Sequence, residues 1–254
     1  GYAAYRVQTN LKAAEEADLK GLRFPLWAMR QMPRVLRRPC SDVTLTILDD
    51  GSIISLEEGD TSGRLYGVAL DIGTSKIVGH LVSLSNGRTL AVASTENPQA
   101  VHGEDIMSRI TFALRGLGNL EELRRLLIEA INKVLETLRA KAGVDRREVY
   151  EAGVVGNTLM HHLFLGLEPS SLARAPFNPV IGSGISVVAQ ELSIAIHPAG
   201  VVHLPPLIAG FVGSDAVADI LATKIYDSKE PALLIDVGTN TEVFVGGRRG
   251  MAAC

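Results

Sequence analysis

Cysteine is nearly absent from this sequence. Cys40 and Cys254 are the only two, and they stand far apart in 254 residues. They cannot supply a CxxC pair, a zinc spacing or an iron–sulfur ligand set. Two free thiols in a reducing compartment are expected. Long apolar runs are missing too: none reaches the ~18 residues a membrane helix needs. The N-terminal stretch "GYAAYRVQTNLKAAEEADLKGL" has scattered charges and no apolar core, so it lacks a signal peptide's pattern. A cytoplasmic protein with no membrane contact is the expectation. Neither charge dominates: 25 basic and 28 acidic side chains leave −3, which gives no general electrostatic case for nucleic acid. The GxxxxGK[ST] phosphate loop does not occur either.

What is present suffices for a packed core. Apolar residues make up 46% and charged residues 21%, and the length allows two compact domains or one large one. Residues 1–22 read as a linker or short helix. "FPLWAMRQMPRVLRR" (24–38) is a basic amphipathic segment whose Leu26, Met29, Met32 and Leu36 could seat on a small sheet, with Pro25 and Pro33 as breaks. "DVTLTILDDGSIISLEEGD" (42–60) alternates around Asp50-Gly51, a hairpin with a type I′-like turn. Residues 24–62 therefore form a small α+β module.

From Tyr66 the pattern predicts strands at 66–72, 76–84 and 89–95, then a helix from about Glu104. Residues 120–141 are the clearest helix: Leu123, Leu126, Leu127, Ala130, Ile131, Val134, Leu135 and Leu138 share one face, with Asn119 as N-cap, Glu122 three residues on, and Gly143 at the stop. A strand at 148–155 ends in "VVGNT" and precedes a short helix. Residues 168–200 read as an insertion, 201–213 as strand and turn, and 214–225 as a helix capped by Ser214. A strand–turn–strand hairpin at 232–249 closes the sequence. Residue 1 starts in mid-phrase and Cys254 follows a strand with no closing element, so both ends are expected to be cuts.

One phrase occurs twice. "ALDIGTSKIV" and "LIDVGTNTEV" put Asp71 and Asp236, 165 residues apart, at the ends of apolar strands and just before a glycine turn. A carboxylate there is costly unless a charge or donor meets it. Hydrated Mg²⁺ is a suitable partner, so Asp71 and Asp236 are the candidate metal residues. Gly73 and Gly238 let the backbone approach a ligand, and the amides of 73–75 and 238–240, including Asn240, can face phosphate oxygens. Thr74, Ser75, Thr239 and Thr241 add hydroxyls, and Lys76 adds a cation. A turn-capping aspartate explains a single copy equally well; two copies facing across a cleft would grip a triphosphate from both sides.

The paired loops resemble the two phosphate loops of the acetate and sugar kinase, Hsp70 and actin superfamily. "LIAGFVGSDAVADIL" resembles its connecting helix, with Gly210, Gly213 and Asp215 at the start. A closer resemblance rests on five ordered stretches: "YGVALDIGTSKIVGHLV", "NPQAVHGEDIMSRI", "VVGNTLMHHLFLGLEPSSLARAPFNPV", "LPPLIAGFVGSDAVADILAT" and "LLIDVGTNTEVFVG". Together, over roughly residues 20–254, they are similar to the reductive activators of corrinoid-dependent enzymes. That resemblance implies an α/β, actin-like (ribonuclease H-like) ATPase lobe with a mixed sheet, preceded by a small α+β middle domain. The implied boundaries are a linker at 1–23, the middle domain at 24–64, the first lobe at 65–225 and the start of a second lobe at 226–254. It implies ATP and Mg²⁺ as cofactors, and ATP hydrolysis coupled to returning a Co(II) corrinoid to Co(I). It also implies a corrinoid protein as partner and a [2Fe–2S] ferredoxin domain or other electron donor, and it admits a homodimer. The cysteine-rich ferredoxin pattern and the rest of the second lobe are not in this sequence, which would leave the last hairpin uncovered.

Several residues carry two readings. Asp215 could orient attacking water as a base or hydrogen-bond acceptor, or simply favour the helix N-terminus. Asn157 could face the cleft or act as an N-cap. Asp105 and Arg109, at i and i+4, form a solvated ion pair by default, and the resemblance makes Glu104 and Arg109 cleft or partner candidates. His161 and His162 read as packed or surface histidines rather than metal ligands. Two rival functions stay open: a small-molecule kinase on the same fold, and a truncated interaction module without turnover.

Overall fold

Alternating and helical apolar periodicities become separate layers in the computed structural model, which describes residues 5–9, 22–36, 43–48, 50–238 and 241–254. The first unit is a three-stranded antiparallel sheet: β1 (Tyr5–Thr9), β2 (Val43–Ile47) and β3 (Ile53–Glu58), with helix α1 (Leu26–Leu36) packed on it. Strand β1 lies inside the stretch expected as a linker; a five-residue strand with one polar flank after another carries too short a pattern to stand out. The apolar face of α1 also differs from expectation. Ala28 is buried, and Trp27, Met32 and Val35 pack around it, whereas Leu26 and Met29 point to solvent. The helix runs on through Pro33. In the β2–β3 turn, Gly51 N–H donates to Leu48 O and Gly51 takes the left-handed conformation (φ 82°). That fits a three-residue loop ending on a left-handed glycine, rather than the type I′ pair expected at Asp50-Gly51.

The second unit is built on a six-stranded mixed sheet. Its members are β4 (Tyr66–Ile72), β5 (Lys76–Ser83), β6 (Thr89–Glu96), β7 (Val149–Gly156), β8 (Ile185–Val188) and β9 (Val201–Leu204), in the order β6-β5-β4-β7-β9-β8. The β4–β5–β6 meander is antiparallel, β7 and β9 run parallel to β4, and β8 returns antiparallel on the far edge. Strand β8 comes from the segment read as an insertion, so that segment completes the sheet. The helices are α2 (Ile106–Ala113), α3 (Leu117–Ala142), α4 (Thr158–Leu165) and α5 (Ser214–Thr223). Leu123, Leu127, Ile131, Val134, Leu135 and Leu138 of α3 are buried in one core with Leu70, Ile77 and Leu81 of the sheet. Gly79 permits that approach: a Cβ there would meet Val134 at 2.8 Å and both Leu138 and Leu70 at 3.0 Å.

Helix α3 starts earlier than expected. Gly116 occupies the N-cap, and Asn119 sits within the first turn, its amide donating to Phe112 O at 3.0 Å. Gly143 ends the helix in the left-handed conformation, as its position suggests (φ 65°). Tyr150 hydroxyl donates to Glu57, tying the sheet unit to the small module.

The last strands, β10 (Ala232–Val237), β11 (Thr241–Gly247) and β12 (Gly250–Ala253), form a separate antiparallel sheet. Phe244 is buried, while Leu233, Ile235, Val237 and Val245 lie exposed. The apolar hairpin is thus open on one face, as expected. The deepest part of the core is α3 on the meander. Leu127→Ala, at a fully buried position, is expected to cost about 2–5 kcal/mol in urea unfolding of the chain.

Candidate functional site in the cleft between repeated loops

Both copies of the repeated phrase end at one place. Strand β4 delivers Asp71 to its C-terminal end, in register with Val78 of β5 and Val155 of β7. Strand β7 ends at Gly156, next to Ile72, so Asn157 emerges beside the first loop. Across from them β10 delivers Asp236. The cleft between is about 430 Å³ and is lined by Asp71, Gly73, Thr74, Ser75, Lys76, Val78, Asn157, Asp215, Asp236, Val237, Gly238 and Glu242. Thr241 is exposed on β11 outside that lining, and Thr239 and Asn240 lie outside the described residues. Of the two cysteines, Cys254 is free and exposed, and Cys40 lies outside the described residues.

Asn157 fills both of its expected roles at once. Its Oδ1 accepts from Met160 N at 3.0 Å, capping α4, and its Nδ2 donates to Thr74 Oγ1 at 3.0 Å. Gly213 does not line the cleft but lets α5 approach: a Cβ on it would lie 2.4 Å from both Asn157 Cα and Gly156 O. Gly213, rather than Ser214, is the N-cap of α5. Ser214 is turned inward, with Oγ 2.7 Å from His161 Nε2 and 3.2 Å from the N and O of Gly156. His161 is packed as expected, and burial first, then His162, lowers its pKa to about 4, so it is neutral near pH 7. His162 Nδ1 donates to Thr158 O at 2.7 Å, which leaves Nε2 to accept from Val180 N at 3.0 Å.

The acids are the dominant feature. Asp71 is pushed up to about 6, first by lost solvation within the cleft, then by the charges of Asp215, Asp219 and Asp236. Burial, then the Asp236 charge, outweighs the Ala216 N–H bond and raises Asp215. Asp219 and Glu242 are raised as well, by burial and then by their acidic neighbours. Neither of these two was expected. Asp219 lies one helical turn after Asp215, and Glu242 is the cross-strand partner of Asp236. Like charges directly opposite on paired strands repel. Among the described residues, no group of three or more His, Cys, Asp or Glu is placed to hold an ion directly.

Arg109 departs most from expectation. It makes no salt bridge with Asp105 among the described residues; Asp105 Oδ1 instead caps α2 by accepting from Ser108 N at 2.8 Å. Arg109 is fully buried, and its Nη2 donates to Thr74 O at 2.6 Å. Glu104 is exposed and does not line the cleft.

A larger hollow of about 800 Å³ lies where the small module meets the six-stranded unit. It is a seam rather than a loop-built site: Glu57 accepts from Tyr150, and Glu148 pairs with Arg64. No helix among the described residues is long and apolar enough to cross a membrane.

A sequence profile described as the RACo middle region matches residues 66–228, the stretch that carries the first loop, Asn157 and α5. The chain belongs to the RACo middle region family. The RACo match begins at Tyr66, so it falls on the six-stranded unit and leaves the small module outside it. Two curated relatives carry the same relation. The chain is 36% identical over 182 residues to the corrinoid activation enzyme RamQ of Eubacterium limosum, covering 72% of this chain and 30% of the relative. It is 28% identical over 190 residues to the [Co(II) methylated amine-specific corrinoid protein] reductase of Methanosarcina barkeri, covering 70% of this chain and 34% of the relative. A solved reductive activator for corrinoid, iron–sulfur protein superposes on the whole chain with a TM-score of 0.90 at 29% identity, spanning 44% of that structure. The chain thus spans about a third of the length of the curated relatives it matches, and its fold is the α/β fold of the solved activator, built on a mixed sheet.

The raised Asp71 gives a signed prediction. Its folded pKa of about 6 lies above the ordinary 3.8. Protonated Asp71 therefore stabilises the fold at low pH, and that contribution is lost as pH rises through about 6. Asp71→Asn removes the cost of ionisation. In ligand-free urea unfolding at pH 7.5 it is expected to gain roughly 1 kcal/mol, after allowance for solvent screening at this accessible position. The gain should vanish below pH ~4.

Proposed function

We propose that the chain is the nucleotide-responsive lobe of an ATP-dependent reductive activator, which returns a protein-bound Co(II) corrinoid to Co(I). One observation carries the reading: two strand-end loops and the start of α5 meet around a single acidic cleft, in a chain of the RACo middle region family. Its curated relatives are named for corrinoid activation and corrinoid protein reduction.

The donor set fits magnesium. Asp71 and Asp236 are hard oxygen ligands, and Mg²⁺ characteristically keeps several waters. Without a cation the carboxylates of the cleft would repel a triphosphate; with one bound, they position it. The ion would supply charge neutralisation at the phosphates. Thr74 and Ser75 would present hydroxyl and amide donors, and Lys76 a cation, to the same phosphates. Asn157 would hold Thr74 in place through its side-chain bond. Asp215, with one oxygen committed to Ala216 N, keeps the other to orient a water for attack. Burial holds its carboxyl above the usual aspartate range, which makes it a better proton acceptor than an ordinary aspartate.

The redox step is assigned to an electron donor, a [2Fe–2S] ferredoxin domain or an equivalent protein. The lobe's part is conformational: nucleotide bound on both loops draws β10 and α5 towards β4, and hydrolysis releases them. The partner is a corrinoid protein.

The test uses the chain with whatever natural sequence adjoins it, a corrinoid protein and a low-potential electron donor. Co(I) formation, followed by its absorbance, is expected to require Mg²⁺ and ATP. Asp215→Asn is expected to slow ATP hydrolysis by ~10²-fold or more with little loss of nucleotide binding. Co(I) forming equally well without ATP would contradict the proposal.

A further inference from the structure

The first loop is held from behind by an unusual set of bonds. All three of its carbonyls point into the protein. Gly73 O accepts from Asn97 Nδ2 at 2.9 Å, Thr74 O from Arg109 Nη2 at 2.6 Å, and Ser75 O from Asn97 N at 2.8 Å. In a planar trans peptide the C=O and the following N–H point in opposite directions. Holding the carbonyls of Gly73 and Thr74 on the core side therefore turns the N–H groups of Thr74 and Ser75 towards the cleft.

Arg109 is the centre of this arrangement. Its remaining donors reach Gly103 O at 2.8 Å, Gln99 Oε1 at 3.2 Å and Met160 Sδ at 3.8 Å. Gln99 Nε2 in turn donates to Leu123 O of α3 at 2.9 Å. The guanidinium thus ties the loop to α2, α3 and α4 at once. A buried charge is normally paired with an opposite one, yet Arg109 forms no ion pair among the described residues and is 0% exposed. Burial lowers its pKa to about 10, so it still carries its charge near pH 7. A fixed cation behind the loop would add to the attraction that Lys76 offers at the otherwise acidic front of the cleft.

We infer that Arg109 is the positioning residue of the first phosphate loop, fixing its amide edge towards the ligand from behind without touching it. This rests on the nucleotide reading above. Lysine cannot replace it, since one ammonium group cannot bridge Thr74, Gly103 and Gln99 as the planar fork does.

The test is Arg109→Lys in the chain, probed with magnesium tripolyphosphate, which offers phosphates without a base. Hydrogen exchange of the ligand-free chain is expected to speed up by about tenfold or more at the amides of Gly73 and Asn97, which donate to Lys76 O and Ser75 O of the loop, reflecting the loss of one charged hydrogen bond, while β7 and the middle of α3 keep their protection. Affinity for magnesium tripolyphosphate, from NMR titration, is expected to fall by about tenfold. Wild-type binding with unchanged loop exchange and affinity in the variant overturns the inference and leaves the nucleotide reading intact. So does equal loosening of α3, β7 and the loop, which marks a general structural role. A wild-type chain that does not bind the probe overturns the nucleotide reading and the phosphate role of Arg109 with it. Should Arg109→Lys fail to fold, the wild-type guanidinium signals decide. Slowly exchanging Arg109 Nη protons whose shifts move on adding the probe support the inference; freely rotating, unresponsive ones overturn it.

Discussion

Four carboxylates line one cleft and a fifth, Asp219, acts on them from beside it, so like-charge repulsion dominates the electrostatics of the site. Asp71 ends β4, Asp215 and Asp219 lie on the first turns of α5, and Asp236 and Glu242 face each other across the β10–β11 hairpin. Asp71, Asp215, Asp219 and Glu242 are shifted towards the protonated form by burial and by neighbouring acids. A cluster of this kind works against the ligand-free fold. In the proposed function, a cation entering the cleft would relieve that repulsion and draw together the three elements that carry the acids.

The backbone around these acids is tightly constrained. Gly213 brings α5 against Gly156 and Asn157 with no room for a side chain, and Ser214 locks the contact through His161. Asn157 joins the cap of α4 to Thr74 of the loop. These contacts connect α5 to the first loop through Gly156 and Asn157. In the proposed function, this mechanical link lets events at the phosphates change the relation of the two loops. The second loop is carried by a sheet whose apolar side chains Leu233, Ile235 and Val237 lie exposed, so it is held by few packing contacts.

The sequence made legible those features that depend on local pattern. Strands β4 to β6, helix α3 and the repeated loops follow from period-two and period-3.6 apolar spacing and from glycine turns, and each lies close to its expected position. Features decided by tertiary contact were not legible. Asn119 is a good cap by type, but Gly116 begins α3 because the chain turns out of α2 there. Ser214 is equally good by type, yet His161 and Gly156 compete for its hydroxyl and win. The i, i+4 spacing of Asp105 and Arg109 suggested a surface pair; the helix face that holds Arg109 turns inward instead, which no local rule reveals. Asp219 and Glu242 were missed although signals existed, one helical turn from Asp215 and directly across the hairpin from Asp236.

The account stands or falls on the charge state of the cleft. The direct measurement is a carbon-13 NMR titration of the Asp71 carboxyl, with and without Mg²⁺ and tripolyphosphate. The account predicts a midpoint of about 6 in the free chain, falling by roughly one unit or more when the cation enters, since a nearby positive charge favours the ionised form. An Asp71 that titrates near the ordinary aspartate value and ignores magnesium would contradict it.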